Sequence, residues 1–257
     1  MIAWFSENFK ESVTKVVRDV DELAGTVIST FKDRVIAAIR DIRNIVDEMG
    51  NATTGIAQNS IRMVNEIGGD VIETGTRLIN NTLTGIHGTV NTASSTTQGT
   101  VKALGATVKG VIQGLEEVRA DINAAIANII VGVIKSTASI GGDVALTVNE
   151  AVKNIVIGLT GTSVEMTKAI ETAIGTAIKT ASDSGEDIGK VSVGAVQGAL
   201  TAVEEIGGSV SQTLVSTINM AISTAESISA ESAAKVKTAL MNSIEGARDI
   251  IEGGKKE

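Results

Sequence analysis

The side chains that most often perform chemistry are scarce in this sequence. Its 257 residues include no Cys, no Tyr and no Pro, and only one His and one Trp. The absence of Cys excludes disulfides, thiolate metal sites and thiol nucleophiles. The single histidine, His87, has no second His or Cys for a metal site and no nucleophile at a catalytic spacing. We therefore interpret His87 as structural and expect neither a metal nor a cofactor.

Two pairs of adjacent glutamates are the remaining candidates for acid–base chemistry. They are Glu116-Glu117 and Glu204-Glu205, which recur in similar contexts 88 residues apart. Neighbouring side chains on a helix project about 100° apart, so neither pair forms an opposed acid and base without partners from elsewhere. We interpret both pairs as part of a solvated helix face. With no catalytic constellation, the sequence predicts that the protein is not an enzyme.

Glycines at regular spacing first suggest a phosphate-binding loop. Gly105 and Gly110 are separated by four residues, but Val111-Ile112 follow instead of Lys-Ser/Thr, and no predicted strand precedes them. Small residues at helical spacing instead let helix backbones approach closely. The predicted helix-packing glycines are Gly105, Gly110, Gly114, Gly158, Gly161, Gly189, Gly194 and Gly198.

The aromatic residues gather at the start of the chain. Trp4, Phe5 and Phe9 form the only aromatic cluster. Two interpretations stay open: the cluster is a hydrophobic plug at a helix end, or it anchors the chain in a neighbouring subunit or at an acyl boundary.

Composition and charge limit the classes of partner and compartment. Hydrophobic residues make up 43% of the chain but aromatics only 2%, and the net charge is -8. This acidity opposes binding to nucleic acid and strong attraction to anionic lipid. The N-terminus has no basic region followed by an apolar run, so we expect no standard secretory signal, and a protein that is cytoplasmic or exported by another route. The best apolar run, residues 124–134, is about half as long as a membrane span.

The elements that must position these residues are helices. Apolar residues step by three and four along the chain, as in Val101, Leu104, Val108, Ile112 and Leu115. This period is helical, and no alternating window bounded by turn residues appears. The sequence therefore predicts an all-α fold of long amphipathic helices. Residues 1–50 form an N-terminal amphipathic segment with the aromatic cluster and many of the arginines, and residues 51–257 form a helical repeat region rich in Gly, Thr, Ala and Val.

Internal similarity indicates an eleven-residue repeat. The sequence at Ile140 to Val144 resembles the sequences 73 residues earlier at Ile67 and 66 residues later at Ile206, and the glutamate pairs recur after 88 residues. The separations of 66 and 88 are multiples of eleven, and none of the three is a multiple of seven. We expect helices of about four such units, folded back as hairpins packed side by side. The expected turns lie at clusters of Gly, Ser, Thr, Asn and Asp in residues 50–55, 94–99, 136–143, 182–187 and 227–232.

The composition of residues 99–111 resembles a known class of repeats. Gly99-Thr100-Val101-Lys102-Ala103-Leu104-Gly105-Ala106-Thr107-Val108-Lys109-Gly110-Val111 is similar to the eleven-residue repeats of perilipin-type, synuclein-type and late-embryogenesis-abundant proteins. That resemblance implies amphipathic helices that lie on a surface, and it assigns no functional residue. The chain departs from these repeats in being acidic and richer in Ile and Val. Its low aromatic content, without Cys or Pro, also resembles helical filament proteins such as the flagellin core.

The sequence favours a structural role. An interior glycine costs a helix about 1 kcal/mol relative to alanine, so glycine-rich helices need a partner surface to be stable. We expect that surface to be other copies of the chain, in a homo-oligomer or a polymer shaped as a filament, tube or layer. The first alternative is an amphipathic coat on a lipid, membrane or granule surface, and the second is a helical pore-former that inserts residues 122–134.

Overall fold

The computed structural model describes Thr30, residues 46–87 and residues 95–253. Every regular element in these residues is an α-helix, which confirms the predicted all-α class. Ten helices lie in residues 46–87 and 95–253: α1 (Val46–Glu66), α2 (Val71–His87), α3 (Ser95–Glu117), α4 (Ile122–Ser139), α5 (Val144–Gly158), α6 (Met166–Asp183), α7 (Ile188–Glu205), α8 (Val210–Ile228), α9 (Ala230–Ser243) and α10 (Ala247–Gly253).

Most of the turns between these helices share one geometry. At the α4–α5 turn Gly141 has a φ of 67°, and the Gly142 amide donates to the Thr137 carbonyl at 2.9 Å. This bond satisfies one of the carbonyls that the helix end leaves free, and glycine adopts the left-handed conformation without strain. Arg119, with a φ of 57°, takes the same place in the α3–α4 turn. The other turns of this kind centre on Gly68, Gly185 and Gly207.

Each turn leads directly into the next helix. Asp121, Asp143 and Asp187 accept hydrogen bonds from backbone amides in the first turn of α4, α5 and α7, which satisfies donors that have no partner within the helix. These N-cap positions lie at intervals of 22 residues. Residues 121, 143, 165, 187 and 209 are the N-caps of α4 to α8.

The helices form two layers because successive hairpins stack side by side. Odd-numbered helices contact one another in the order α1, α3, α5, α7 and α9, and even-numbered helices in the order α2, α4, α6 and α8. Sequential helices also contact each other across the two layers. The result is an elongated stack of helical hairpins, in which each hairpin buries its apolar face against its neighbours.

The core between the layers is aliphatic. Ile126, Ile130, Val133, Ile155 and Ile178 are among the side chains that are fully buried there. Every Trp and Phe of the chain lies outside the described residues, and most of the described core consists of Ile, Val, Leu and Ala. Alanine and glycine keep the helix faces thin, which allows close packing without aromatic volume.

The predicted helix length was wrong, as were some of the predicted turns. The described helices have 7 to 23 residues. The chain does turn in the predicted clusters at residues 140–143, 184–187 and 229. Residues 50–55 instead lie inside α1, where the Thr54 hydroxyl donates to the Ala106 carbonyl of α3 at 3.2 Å. Residues 95–99 lie inside α3. Small polar residues pack helices here as well as ending them.

The predicted division of the chain at residue 50 falls within α1. That helix continues without a break from Val46 to Glu66. Most of the predicted N-terminal segment lies outside the described residues, so the division into two regions stays a prediction.

Candidate interaction surface

Seven of the eight predicted packing glycines lie where two odd-numbered helices approach each other. A side chain at Gly194 or Gly198 in α7 would collide with the backbone carbonyl of Ala145 or Asn149 in α5. At Gly110 in α3 it would collide with the Thr54 carbonyl of α1. These close approaches occur because glycine has no Cβ.

At three other predicted packing glycines the neighbouring helix is slightly further away. A Cβ at Gly114 would lie 2.9 Å from the Ile61 Cβ, and one at Gly158 would lie 3.0 Å from Ile112 Cγ2. At Gly189 the nearest atom would be the Ala239 Cβ at 3.0 Å, which joins α7 to α9.

Two members of the set have different surroundings. A Cβ at Gly105 would meet the polar side chains of Glu150 and Asn154 on α5. Gly161 lies in the turn after α5 with a φ of 82°, and a Cβ there would meet no atom within 4 Å. Gly161 therefore shapes a turn, a role that its spacing in the sequence does not distinguish from packing.

One glutamate of each adjacent pair connects two helices of the odd-numbered layer. Glu117 of α3 accepts hydrogen bonds from Gln58 and, at 2.8 Å, from Arg62, both on α1. Glu205 of α7 forms an ion pair with Lys153 of α5 at 2.9 Å. Both carboxylates are at the edge of the layer, with side chains 37% and 48% exposed. The interpretation of both pairs as a solvated face was incomplete, because one glutamate of each pair also joins two helices. The recurrence of the pairs after 88 residues indicates this shared role.

A partly buried carboxyl group lies beside one of these ion pairs. The Asn154 amide donates to the Glu150 carboxylate at 2.8 Å. Burial raises the pKa of Glu150, although Lys153 and the Asn154 hydrogen bond act in the opposite direction. The pKa of Lys153 is also raised. Burial acts to lower this pKa, but the hydrogen bond to Glu205 and the negative charge of Glu150 have the larger combined effect. The cluster is a polar contact between α3, α5 and α7.

A groove follows α7 between α5 and α9. It consists of three adjoining depressions. The first and second share Lys190 and Ala239, and the second and third share Asn149, Gln197 and Ser243. We call it the α7 groove. Its lining includes Leu146 and Asn149 of α5, Lys190, Val193, Gln197, Leu200 and Glu204 of α7, Val210 and Leu214 of α8, and Lys235, Ala239 and Ser243 of α9.

The α7 groove contains two of the three large apolar side chains that are well exposed in the described part of the chain. The large apolar side chains that are well exposed there are Leu146, Val210 and Val215. Leu146 and Val210 line the groove, and Val215 lies one and a half turns further along α8. The sequence does not predict this surface, because a helical period identifies an apolar face without showing which part of it stays exposed.

The other predicted sites stay predictions. Trp4, Phe5 and Phe9 lie outside the described residues, and so does the side chain of His87 at the end of α2. Among the residues that the structure describes, no group of three or more His, Asp or Glu side chains has the arrangement of a metal site.

One helix in the described residues is long and apolar enough to span a membrane. Helix α4 has 18 residues with a mean hydropathy of 1.4, so the expectation that no segment approaches this length was wrong. The sequence run ends at Lys135, but the helix continues to Ser139. Of this segment 44% is buried within the fold, and core helices of other proteins meet the same criterion.

No protein-family model matches the sequence, and no curated protein matches it either. The functional conclusions therefore depend on the fold and its surfaces.

Proposed function

We propose that this chain is a non-enzymatic structural protein that assembles with other copies of itself into a filament, tube or layer. The observation that carries this proposal is the α7 groove, where Leu146 and Val210 are 40% and 38% exposed. Exposed apolar side chains that gather in one concave surface are typical of protein interaction sites.

The C-terminal end of the stack favours assembly through this groove. The exposed surfaces of α9 and α10 carry charged side chains, among them Glu231, Lys235, Arg248 and Glu252. A polar terminal helix prevents further hairpins from stacking on the end of a repeat protein. Copies that join at this end must then use a lateral surface.

The glycine-rich faces are not available for this role. In α3, α5 and α7 they contact neighbouring helices of the same chain, as Gly194 and Gly198 do. The glycine-rich faces therefore do not need other copies as partners, and the proposal depends mainly on the groove.

Sedimentation velocity and negative-stain electron microscopy of the purified chain test this proposal. We expect mass to increase with concentration, and Leu146→Glu to reduce that increase because it introduces a charge into the groove. Val215→Glu is the matched control, since Val215 is equally exposed but does not line the groove. A chain that stays at the mass of one copy at every concentration would overturn the proposal.

A membrane role is the second candidate, and the apolar helix α4 is the observation that favours it. As a pore-former, the protein would release a dye from vesicles, whereas as a lipid coat it would gain helicity when vesicles are added. Both alternatives require apolar faces that now pack in the core, such as Ile126 and Ile130 of α4, to turn outward. Dye release and circular dichroism with vesicles separate them from self-assembly.

A further inference from the structure

The α7 groove has an acidic rim. Five acidic residues but only two lysines line its three depressions. Both lysines are already paired within the chain: Lys190 lies 3.9 Å from Asp187, and Lys235 lies 2.7 Å from Glu231. At the far end of the groove Glu204 and Glu245 are both exposed and line the same depression. The groove therefore presents an excess of negative charge.

Apolar side chains lie between these charges. Val193 and Leu200 of α7 are half-buried along the floor, and Leu146 and Val210 are exposed at its sides. Helix α7 has 18 residues, so the groove is about 27 Å long. A groove with an apolar floor and an acidic rim is complementary to a basic amphipathic helix of up to about five turns.

A segment of the chain itself has this chemistry. Residues 34–45 carry Arg34, Arg40 and Arg43 against a single acid, Asp41, in a protein whose net charge is -8. Val35, Ile39 and Ile42 recur in the same segment at steps of four and three. These residues lie outside those that the structure describes, and they end immediately before α1.

The position of this segment in the chain excludes its own groove. Helix α7 is three contacts away from α1 along the odd-numbered layer, and packed helices are about 8–10 Å apart. The groove is therefore roughly 25–30 Å from α1, and residue 45 is joined directly to Val46. No linker is available to carry the whole segment that far, so this segment can occupy only the groove of a second copy.

We propose that residues 34–45 of one copy dock in the α7 groove of the next copy. This inference rests on the proposed self-assembly and identifies its contact. The segment and the groove are different parts of the chain. A copy that binds one neighbour through its segment can therefore bind a second neighbour through its groove. Such a head-to-tail contact produces an open chain of copies unless its rotation closes a ring.

Charge exchange between the two surfaces tests the contact. The segment variant is Arg34→Glu/Arg40→Glu/Arg43→Glu, and the groove variant is Glu204→Arg/Glu245→Arg. Each variant alone brings like charges together, so we expect each to stay at the mass of one copy in sedimentation velocity. Mixed in equal amounts, the two variants present opposite charges at every contact, and we expect assembly to return. Misfolded variants do not restore each other in this way.

A control variant and an ionic-strength series accompany this experiment. Glu66→Arg/Glu73→Arg changes the charge by the same amount on exposed residues of α1 and α2, and we expect it to assemble like the wild type. Assembly of the wild type and of the mixture should weaken as salt increases, because the contact is partly electrostatic. If both variants assemble alone as well as the wild type does, the docking contact is wrong while the proposed function stands.

A synthetic peptide of residues 31–45 tests the docking separately from assembly. We expect the labelled peptide to bind the segment variant, whose groove is unchanged, with at least tenfold higher affinity than a chain that also carries Glu204→Arg/Glu245→Arg. Equal anisotropy changes with both chains would overturn the inference. Wild-type chains that never assemble would overturn the proposed function and this contact between copies with it, and peptide binding would still report whether the groove accepts this segment.

Discussion

Glycine residues in these helices have opposite effects on stability, depending on what lies opposite them. Gly194 faces the Ala145 carbonyl so closely that no side chain fits, whereas Gly55 in α1 has no other atom within 4 Å of a Cβ. At the first position glycine allows two helices to pack, and at the second it only lowers helix propensity. The spacing of glycines in the sequence indicates packing, but it does not identify which helix faces them.

Alanine substitutions at these two positions should therefore change stability in opposite directions. We expect Gly194→Ala to destabilise the fold by about 1–3 kcal/mol, because the methyl group forces α5 and α7 apart. Gly55→Ala should stabilise it by up to about 1 kcal/mol through helix propensity alone. Urea unfolding followed by circular dichroism measures both, and equal effects of the two substitutions would contradict the packing role of Gly194.

The partly buried Glu150 should make stability depend on pH. Burial raises its pKa, so between its unfolded and folded pKa values the folded state binds more protons than the unfolded state. This contribution to stability is present below the unfolded pKa of about 4.5 and is lost as pH rises through the folded value. The ionised carboxylate thus lowers stability at neutral pH.

Glu150→Gln tests this dependence because glutamine keeps an acceptor for Asn154. We expect the variant to have the higher melting temperature at pH 7 and to lose this advantage at pH values below about 4.5. The exposed acid Glu66 provides the control, Glu66→Gln, which should show no comparable gain. A Glu150→Gln variant that is less stable than the wild type at neutral pH would contradict the role of burial.

Arg119 is the one described residue other than glycine with a positive φ, and its angle is 57°. Four equivalent turns have glycine at this place, including Gly141, 22 residues later. We expect Arg119→Gly to stabilise the protein by roughly 0.5–1 kcal/mol, since it removes the strain of the left-handed conformation at some loss of chain entropy. Gly141→Ala should destabilise it by about 1 kcal/mol. Thermal unfolding compares the pair, and a destabilising Arg119→Gly would contradict this account.

At the scale of the helix, one turn-and-cap motif sets where most elements begin and end. Gly141 ends α4 and Asp143 begins α5, within the recurring sequence that starts at Ile140. The sequence shows this recurrence, but Ser- and Thr-rich clusters appear equally good turns. What distinguishes them is a left-handed residue followed two positions later by a capping side chain. Residues 50–55 have no such pair in that order and lie within α1.

Removing a cap should weaken the fold only where the cap forms a hydrogen bond. The Asp143 carboxylate accepts from the Leu146 amide at 3.0 Å, whereas Glu165 at the start of α6 makes no side-chain cap bond. We expect Asp143→Ala to lower the free energy of unfolding by about 1 kcal/mol. Glu165→Ala should lower it by no more than a few tenths of a kcal/mol. Chemical denaturation of both variants measures the difference, and equal losses would count against the capping role.

At the scale of the molecule, periodicity predicts that the helices have apolar faces but not what covers those faces. The all-α class follows from steps of three and four, as at Leu104, Val108 and Ile112, which are all fully buried. The partner of each face depends on where the chain turns, and a 22-residue spacing between N-caps places α7 beside α5 of the same chain. The α7 groove arises only when four helices come together, so no local pattern predicts it.

The central claim is that copies of this chain join through the α7 groove, and sedimentation velocity of the wild type, the two charge variants and their mixture tests it most directly. We predict assemblies larger than the 26.3 kDa chain for the wild type and for the mixture, and a single-copy mass for each variant alone. A wild-type chain that sediments at the mass of one copy at every concentration would contradict the claim.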